Sequence, residues 1–141
     1  MNSALPISTV ALLVAVATGS TAAAGTITIR TGVIKLESVV AVSASVPASA
    51  TISATGSAYF YDSSAGSHQA SITAVVKRSG KTASVVLMLP YRWTVGTTSN
   101  PVTVTLSVSA NSSDSPRTEV SAMIPLPANG ATTQVILPAA F

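Results

Sequence analysis

The clearest pattern in the chain is a two-residue alternation of apolar and hydroxyl side chains between residues 101 and 111. The apolar positions are Val102, Val104, Leu106, Val108 and Ala110. Threonine and serine occupy the positions between them. Because successive side chains of a β-strand point to opposite faces, this segment is predicted to be a strand with one buried face and one exposed hydroxyl face.

Similar alternation over most of the chain predicts an all-β protein. The alternating segments lie at residues 26–36, 39–46, 50–61, 68–76, 83–89, 120–126 and 134–137, with turn-forming residues between them. No long segment shows the roughly 3.6-residue period of an amphipathic helix. Short strands of this kind, about 7–8 in number, are typical of an immunoglobulin-like antiparallel β-sandwich. A small closed β-barrel is the alternative architecture.

Two glycines and one basic segment interrupt the alternation. The apolar positions change parity between Ile29 and Ile34, which predicts a β-bulge or a bend at Gly32. Gly56 lies inside an alternating segment and predicts a second bulge or a break into two short strands. The basic segment 77–81 contains a Ser-Gly pair that suits a tight hairpin, so the strands on either side of it are predicted to pair.

The segment 1–24 is predicted to be a signal peptide. Its apolar core, residues 10–17, is too short to span a bilayer, which argues against a membrane span. Small residues at Ala22 and Ala24 suit a signal peptidase, so cleavage is predicted after Ala24. Residues 25–141 would then form one domain, exported to the periplasm, the cell surface or the medium. The alternative is an N-terminal core segment of a cytosolic protein.

The composition narrows the range of functions. Charged residues make up 8% of the chain and the formal net charge is +3, so Ser, Thr and Ala supply most of the surface. Such a surface produces little repulsion between copies, which suits a subunit that packs against its neighbours. Scattered cations and an aromatic share of 4% argue against nucleic-acid binding. Since cysteine is absent, thiol catalysis and zinc–thiolate sites are excluded.

No motif typical of a catalytic or metal site occurs in the sequence. His68 is the only histidine, and the four acidic residues lie in separate segments without the spacing of metal ligands. The chain also lacks a Gly-x-Ser-x-Gly nucleophile motif and a glycine-rich phosphate loop. We therefore expect a protein that is not an enzyme and needs no cofactor or metal.

A small group of aromatic residues is a candidate binding surface. Tyr59 and Tyr61 share one strand parity, and Trp93 is the only tryptophan. These three residues are candidates for stacking against a glycan. The alternative is that they pack in the core and on the sheet, since aromatic residues are common in strands.

Taken together, the export signal, the one-domain β pattern, the Ser/Thr/Ala-rich surface and the alternating segment after Ala24 resemble a bacterial fimbrial (pilin) subunit of the chaperone–usher type. In that family an N-terminal extension adds as a strand to the sheet of a neighbouring subunit. The resemblance implies that Ile27, Ile29 and Val33 are offered to that neighbour, with a periplasmic chaperone as a further partner. The segment 26–36 is accordingly expected to be an exchanged or edge strand.

Three functional hypotheses follow, of which the third is a small exported enzyme whose hydrolytic activity would depend on His68. The first is an exported structural subunit without enzymatic activity that self-associates into homo-oligomers or fimbria-like filaments at the cell surface. The second is a monomeric periplasmic or secreted binding module, in which Tyr59, Tyr61 and Trp93 bind a glycan or a protein partner.

Overall fold

The computed structural model describes residues 26–97 and 100–141, which form two β-sheets packed face to face. The predicted signal peptide and its cleavage site lie outside the described residues. The strands of the described ranges are β1 (Thr28–Ala41), β2 (Thr51–Asp62), β3 (Gly66–Val76), β4 (Arg78–Ser79), β5 (Thr82–Val95), β6 (Val102–Asn111), β7 (Arg117–Ile124), β8 (Thr132–Ile136) and β9 (Ala139–Ala140). None of the described residues belongs to a helix that could span a membrane.

The first sheet, sheet A, is built around β1. This strand pairs along its whole length with antiparallel β5, in one continuous register from Thr28 opposite Val95 to Ala41 opposite Thr82. On its other side β1 pairs in parallel with β8 and, near its end, with β9. The strand order is β4-β5-β1-β8, so β1 is an interior strand of its sheet.

The second sheet, sheet B, has the order β3-β2-β6-β7 and is antiparallel throughout. In an immunoglobulin-like sandwich, β4-β5-β1 correspond to strands D-E-B, and β3-β2-β6-β7 correspond to C′-C-F-G. The C-terminal strands β8 and β9 take the place beside β1 that the first strand of that fold normally occupies. The predicted β-sandwich is confirmed, and a closed barrel is excluded because the described strands form two separate sheets.

The inner faces of the two sheets form one apolar core. Sheet A contributes large side chains, among them Leu36, Leu87 and Leu89, which are fully or nearly fully buried. The β2 strand contributes small inner residues, including Ala54 and Gly56. Large side chains facing small ones allow the sheets to interdigitate without voids.

The parity change between Ile29 and Ile34 does not come from a bulge. The register of β1 with β5 runs through Gly32 without interruption. Ile29 lies on the outer face of sheet A, where it is 52% exposed, whereas Ile34 is fully buried in the core. The prediction of a bulge was wrong because both isoleucines were assumed to face the core.

Both glycines are required by close packing, and neither marks a break. A Cβ atom on Gly56 would lie 2.9 Å from Leu36 Cδ2 and 3.0 Å from Leu87 Cδ1. A Cβ atom on Gly32 would lie 2.6 Å from the Tyr91 hydroxyl oxygen. Because β2 pairs with both neighbours at Gly56, it is one continuous strand, and the predicted bulge or break there was wrong.

The basic segment 77–81 connects the two sheets, so β3 and β5 do not pair with each other. Its tight turn closes a hairpin only between β4 and the first two residues of β5. The guanidinium group of Arg78 donates hydrogen bonds of 2.8 and 3.0 Å to the carbonyl oxygens of Val46 and Pro47. The cation therefore anchors the corner where the chain leaves sheet B.

The packing at Gly56 leads to a stability prediction. Gly56→Val is expected to lower the free energy of unfolding by about 1–3 kcal/mol, because the added methyl groups must displace buried leucines. The matched control is Ser57→Val, whose side chain points to the outer face and is expected to change stability by less than about 0.5 kcal/mol. Urea denaturation of both variants is the measurement, and equal effects would contradict the packing argument.

Candidate functional site

A group of exposed apolar side chains lies on the outer face of sheet A. We call Val39, Val86, Met88 and Ile136 the sheet A patch. Glu37 lies opposite Val86 on one side and opposite Ile136 on the other, so these three residues form one row across β5, β1 and β8. Side chains in such a row stand roughly 5 Å apart, close enough to present one continuous surface.

Three of the four patch residues border an open hollow of about 330 Å³. Val39, Val86 and Ile136 form much of its wall. Ser38 also lines it, and its hydroxyl group is buried with no hydrogen-bond partner among the described residues. The hollow is thus a largely apolar depression in a sheet face, and Glu37 and Ser84 are the other polar residues that line it.

The charged groups within the patch are already paired. Lys35 Nζ lies 3.1 Å from Glu37 Oε2, and the Gln134 side-chain amide donates to the same oxygen at 2.6 Å. Two hydrogen bonds, first that from Lys35 and then that from Gln134, hold the pKa of the partly exposed Glu37 carboxyl below its usual value. This carboxylate is therefore ionised and engaged, and it is poorly suited to act as a general acid.

The outer face of sheet B is covered by hydroxyl groups. Ser71, Ser57, Thr105 and Ser121 form one row across all four strands. Thr105 and Ser121 share a hydrogen bond of 2.9 Å within this row. The predicted hydroxyl face of β6 is confirmed, and the sheet extends it across its neighbours. We call this surface the hydroxyl face.

Tyr59 and Tyr61 lie side by side at one end of the hydroxyl face. They are 45% and 48% exposed, respectively. Tyr59 lies opposite Gln69 and Thr103 in the neighbouring strands, and Tyr61 lies opposite Ser67. Two aromatic rings beside an amide and hydroxyl groups form an uncharged surface with both stacking and hydrogen-bonding capacity.

Trp93 does not join these tyrosines. It occupies an inner position of β5, is only 3% exposed and stacks on Phe60 with the ring centroids 5.7 Å apart. Tyr91 also packs against Trp93, with the ring centroids 4.4 Å apart. Of the two interpretations of Trp93, the structure agrees with the packing alternative, because the strand parity directs this side chain into the core.

Polar atoms remain unpaired at both ends of this aromatic stack. His68 lies at one end, 6.4 Å from the Phe60 ring, and Tyr91 lies at the other. His68 Nε2 and the Tyr91 hydroxyl are buried without a hydrogen-bond partner in the described part of the chain. Burial raises the pKa of Tyr91, with Arg30 acting in the opposite direction. Both rings pack against the neighbouring rings of the core, His68 against Phe60 and Tyr91 against Trp93, so we interpret the stack as a packing element.

The segment after the predicted cleavage site belongs to the interior strand β1. Val33 lies between Pro90 of β5 and Thr132 of β8, so it does not belong to an edge strand, whereas exchange of this segment with another copy stays a prediction. Ile27 and Ile29 are about half exposed, and β8 does not extend along this end of β1. Contact between these isoleucines and another copy stays a prediction.

Sequence reasoning missed the structural role of Asp62. Its fully buried carboxylate accepts hydrogen bonds from the Ser64 backbone and hydroxyl groups, at 2.8 and 2.6 Å, and from the Gly96 backbone at 2.9 Å. These bonds join the end of β2 to the loop after β5. Asp followed by two serines is a typical start of such a turn, so this sequence could have indicated the role of Asp62.

Comparison with known proteins returned no matching family model, curated protein or solved structure. Within residues 26–97 and 100–141, no group of three or more His, Cys, Asp or Glu side chains could hold a metal ion. We call Tyr59 and Tyr61 the tyrosine pair. The sheet A patch and the tyrosine pair are the two exposed surfaces that we consider as candidate binding sites.

The pairing of Glu37 leads to a prediction about its titration. Lys35→Ala is expected to raise the pKa of Glu37 towards its usual value, so the carboxyl group protonates at higher pH than in the unmodified protein. An NMR titration of the side-chain carboxyl carbon measures this directly. Lys81→Ala, which removes a cation from the distant β4–β5 turn, is the control and should leave the titration unchanged. An unaltered pKa in Lys35→Ala would contradict the assignment.

Proposed function

We propose that this protein is an exported structural subunit that works by self-association, as a homo-oligomer or a surface assembly, and not as an enzyme. The observation that carries the proposal is the sheet A patch, in which four large apolar side chains are exposed on one rigid sheet face. Contiguous apolar surface of this kind is typical of an interaction site, because covering it releases ordered water.

The charges of the patch favour a second copy as the partner. Lys35 and Glu37 lie two residues apart on the same strand face and pair within one molecule. When two such faces meet across a two-fold axis, Lys35 of each copy can approach Glu37 of the other, which gives a reciprocal contact. The face is thus apolar and electrically self-complementary.

Surface contact is better supported than exchange of the N-terminal strand. β1 is hydrogen-bonded on both sides, and its inner residues Ile34 and Leu36 are fully buried. Its departure from the sheet would expose this core and leave β5 and β8 unpaired. We therefore place the contact on the outer surface, while the fimbrial type of strand addition remains the more demanding alternative.

A charge placed in the patch should prevent association. Val86→Glu is expected to weaken self-association by at least about tenfold, which corresponds to about 1.4 kcal/mol, because an unpaired carboxylate would be buried at the contact. Met123→Glu, which changes an exposed apolar side chain of sheet B to an acid, is the control. Light scattering over a range of concentrations and negative-stain electron microscopy measure the outcome. Equal association of the two variants would contradict the role of the patch.

A second candidate function rests on the tyrosine pair. Tyr59 and Tyr61 offer two exposed rings, and Gln69 and Thr103 beside them offer uncharged hydrogen-bonding groups. Sugar rings present apolar C–H faces edged by hydroxyl groups, so this surface is chemically matched to a neutral glycan. A binding module would bind its glycan on this outer face, and the packing of the core would not change.

The glycan hypothesis is tested by removing the rings. Tyr59→Ala and Tyr61→Ala are each expected to weaken glycan binding by about tenfold, through loss of one stacking contact of about 1.4 kcal/mol. Tyr59→Phe keeps the ring and is the conservative control, which should retain most of the binding. The measurement is the amount of each protein that binds to a panel of neutral polysaccharides. Equal binding by the unmodified protein and by both alanine variants would contradict the hypothesis.

A further inference from the structure

The proposed function requires more than one contact surface, and the inference below rests on it. A contact between identical faces across a two-fold axis closes after two copies, so the sheet A patch alone yields a dimer. A larger assembly needs a second surface elsewhere on the subunit. Sheet edges are candidates for this second surface, because their unpaired backbone groups can bind another strand.

The edges of the two sheets differ in how they are protected. β5 contains Pro90 and Arg92 and is covered at its start by β4. β7 carries Arg117 and Glu119, and β8 is only five residues long. Proline, charge and short length are the usual means of preventing edge pairing. β3 has eleven residues and contains no proline and no Lys, Arg, Asp or Glu.

The hydrogen-bonding pattern shows which residues of β3 face outward. The Ala110 amide donates to the carbonyl oxygen of Pro116, so even-numbered residues of β6 bond towards β7. Because bonding direction alternates along each strand, the odd-numbered residues of β6 bond to β2, and the even-numbered residues of β2 bond to β3. The backbone groups left at the open edge belong to Ser67, Gln69, Ser71, Thr73 and Val75.

The inner side of β3 is also incompletely covered. Ile72 lies on the inner face opposite Gly56, yet it is 38% exposed. Ala70 and Ala74, on the same face, are only half-buried. Inner residues of the neighbouring strand, such as Ala54 and Ala58, are completely buried. The sandwich is therefore open along β3, and an added strand would cover apolar surface as well as backbone.

We propose that β3 pairs with β3 of a second copy, antiparallel and across a two-fold axis at Ser71. In this register Ser71 lies opposite Ser71 of the other copy, and Gln69 lies opposite Thr73 of the other copy. Every facing pair of outward residues is then correctly placed for backbone hydrogen bonds, and no charged side chains are brought together. The two four-stranded sheets B become one continuous sheet, and the edge contact and the sheet A patch together permit an open assembly.

Cysteine cross-linking tests this register directly, since the chain contains no cysteine. Facing residues of a hydrogen-bonded antiparallel pair have Cα atoms about 5.5 Å apart, within the range of about 4.4–6.8 Å found in disulfides. Oxidised Ser71→Cys is therefore expected to run as a covalent dimer on a non-reducing gel. Ser121→Cys, in the same row at the β7 edge, is the matched control and is expected to remain monomeric.

A charge substitution provides the second measurement. Ser71→Lys places two ammonium groups opposite each other and is expected to stop assembly at the dimer formed by the sheet A patch, whereas Ser121→Lys should assemble normally. Assemblies that persist in Ser71→Lys, or equal cross-linking at both cysteine positions, would overturn the β3 contact and leave the proposed function standing. Unmodified protein that stays monomeric at every concentration would overturn the proposed function itself.

Discussion

The close approach of the two sheets at Gly56 is the constraint on which the rest of the structure depends. Leucine side chains from β1 and β5 occupy the space above the β2 backbone, where a Cβ atom would lie 2.9 Å from Leu36 Cδ2. Glycine at this position allows the sheets to approach this closely, and the parity of each strand that faces inward is the one that fills the space between the sheets. Because successive side chains of a strand point to opposite faces, the residues of both candidate sites are those that this packing leaves on the outer faces.

The two outer faces have different chemistry although one core supports both. Sheet A presents apolar side chains around an internally neutralised Lys35–Glu37 pair, whereas sheet B presents serine, threonine and two tyrosines. Few charges are present to keep copies apart or to define a catalytic centre. The proposed association through the apolar face and the open β3 edge would use these features without requiring the core to rearrange.

Strand alternation predicted much of the fold, since a two-residue period is a local property of the chain. Residues 102–111 have the predicted strand, with its apolar side buried and its hydroxyl side outward. The same local information could not show whether Ile29 and Ile34 face the core, because parity is relative until a partner strand fixes it. It also could not distinguish a glycine at a bulge from one beneath a packed leucine.

The sequence alone determined that this protein is an all-β sandwich with little charge, because side-chain period and composition are properties of the chain itself. The tertiary structure decided that β1 is interior, that Trp93 is buried and that β3 forms an unprotected edge. Each of these depends on which strands become neighbours. Neighbours are selected by packing between distant segments, which no local pattern records.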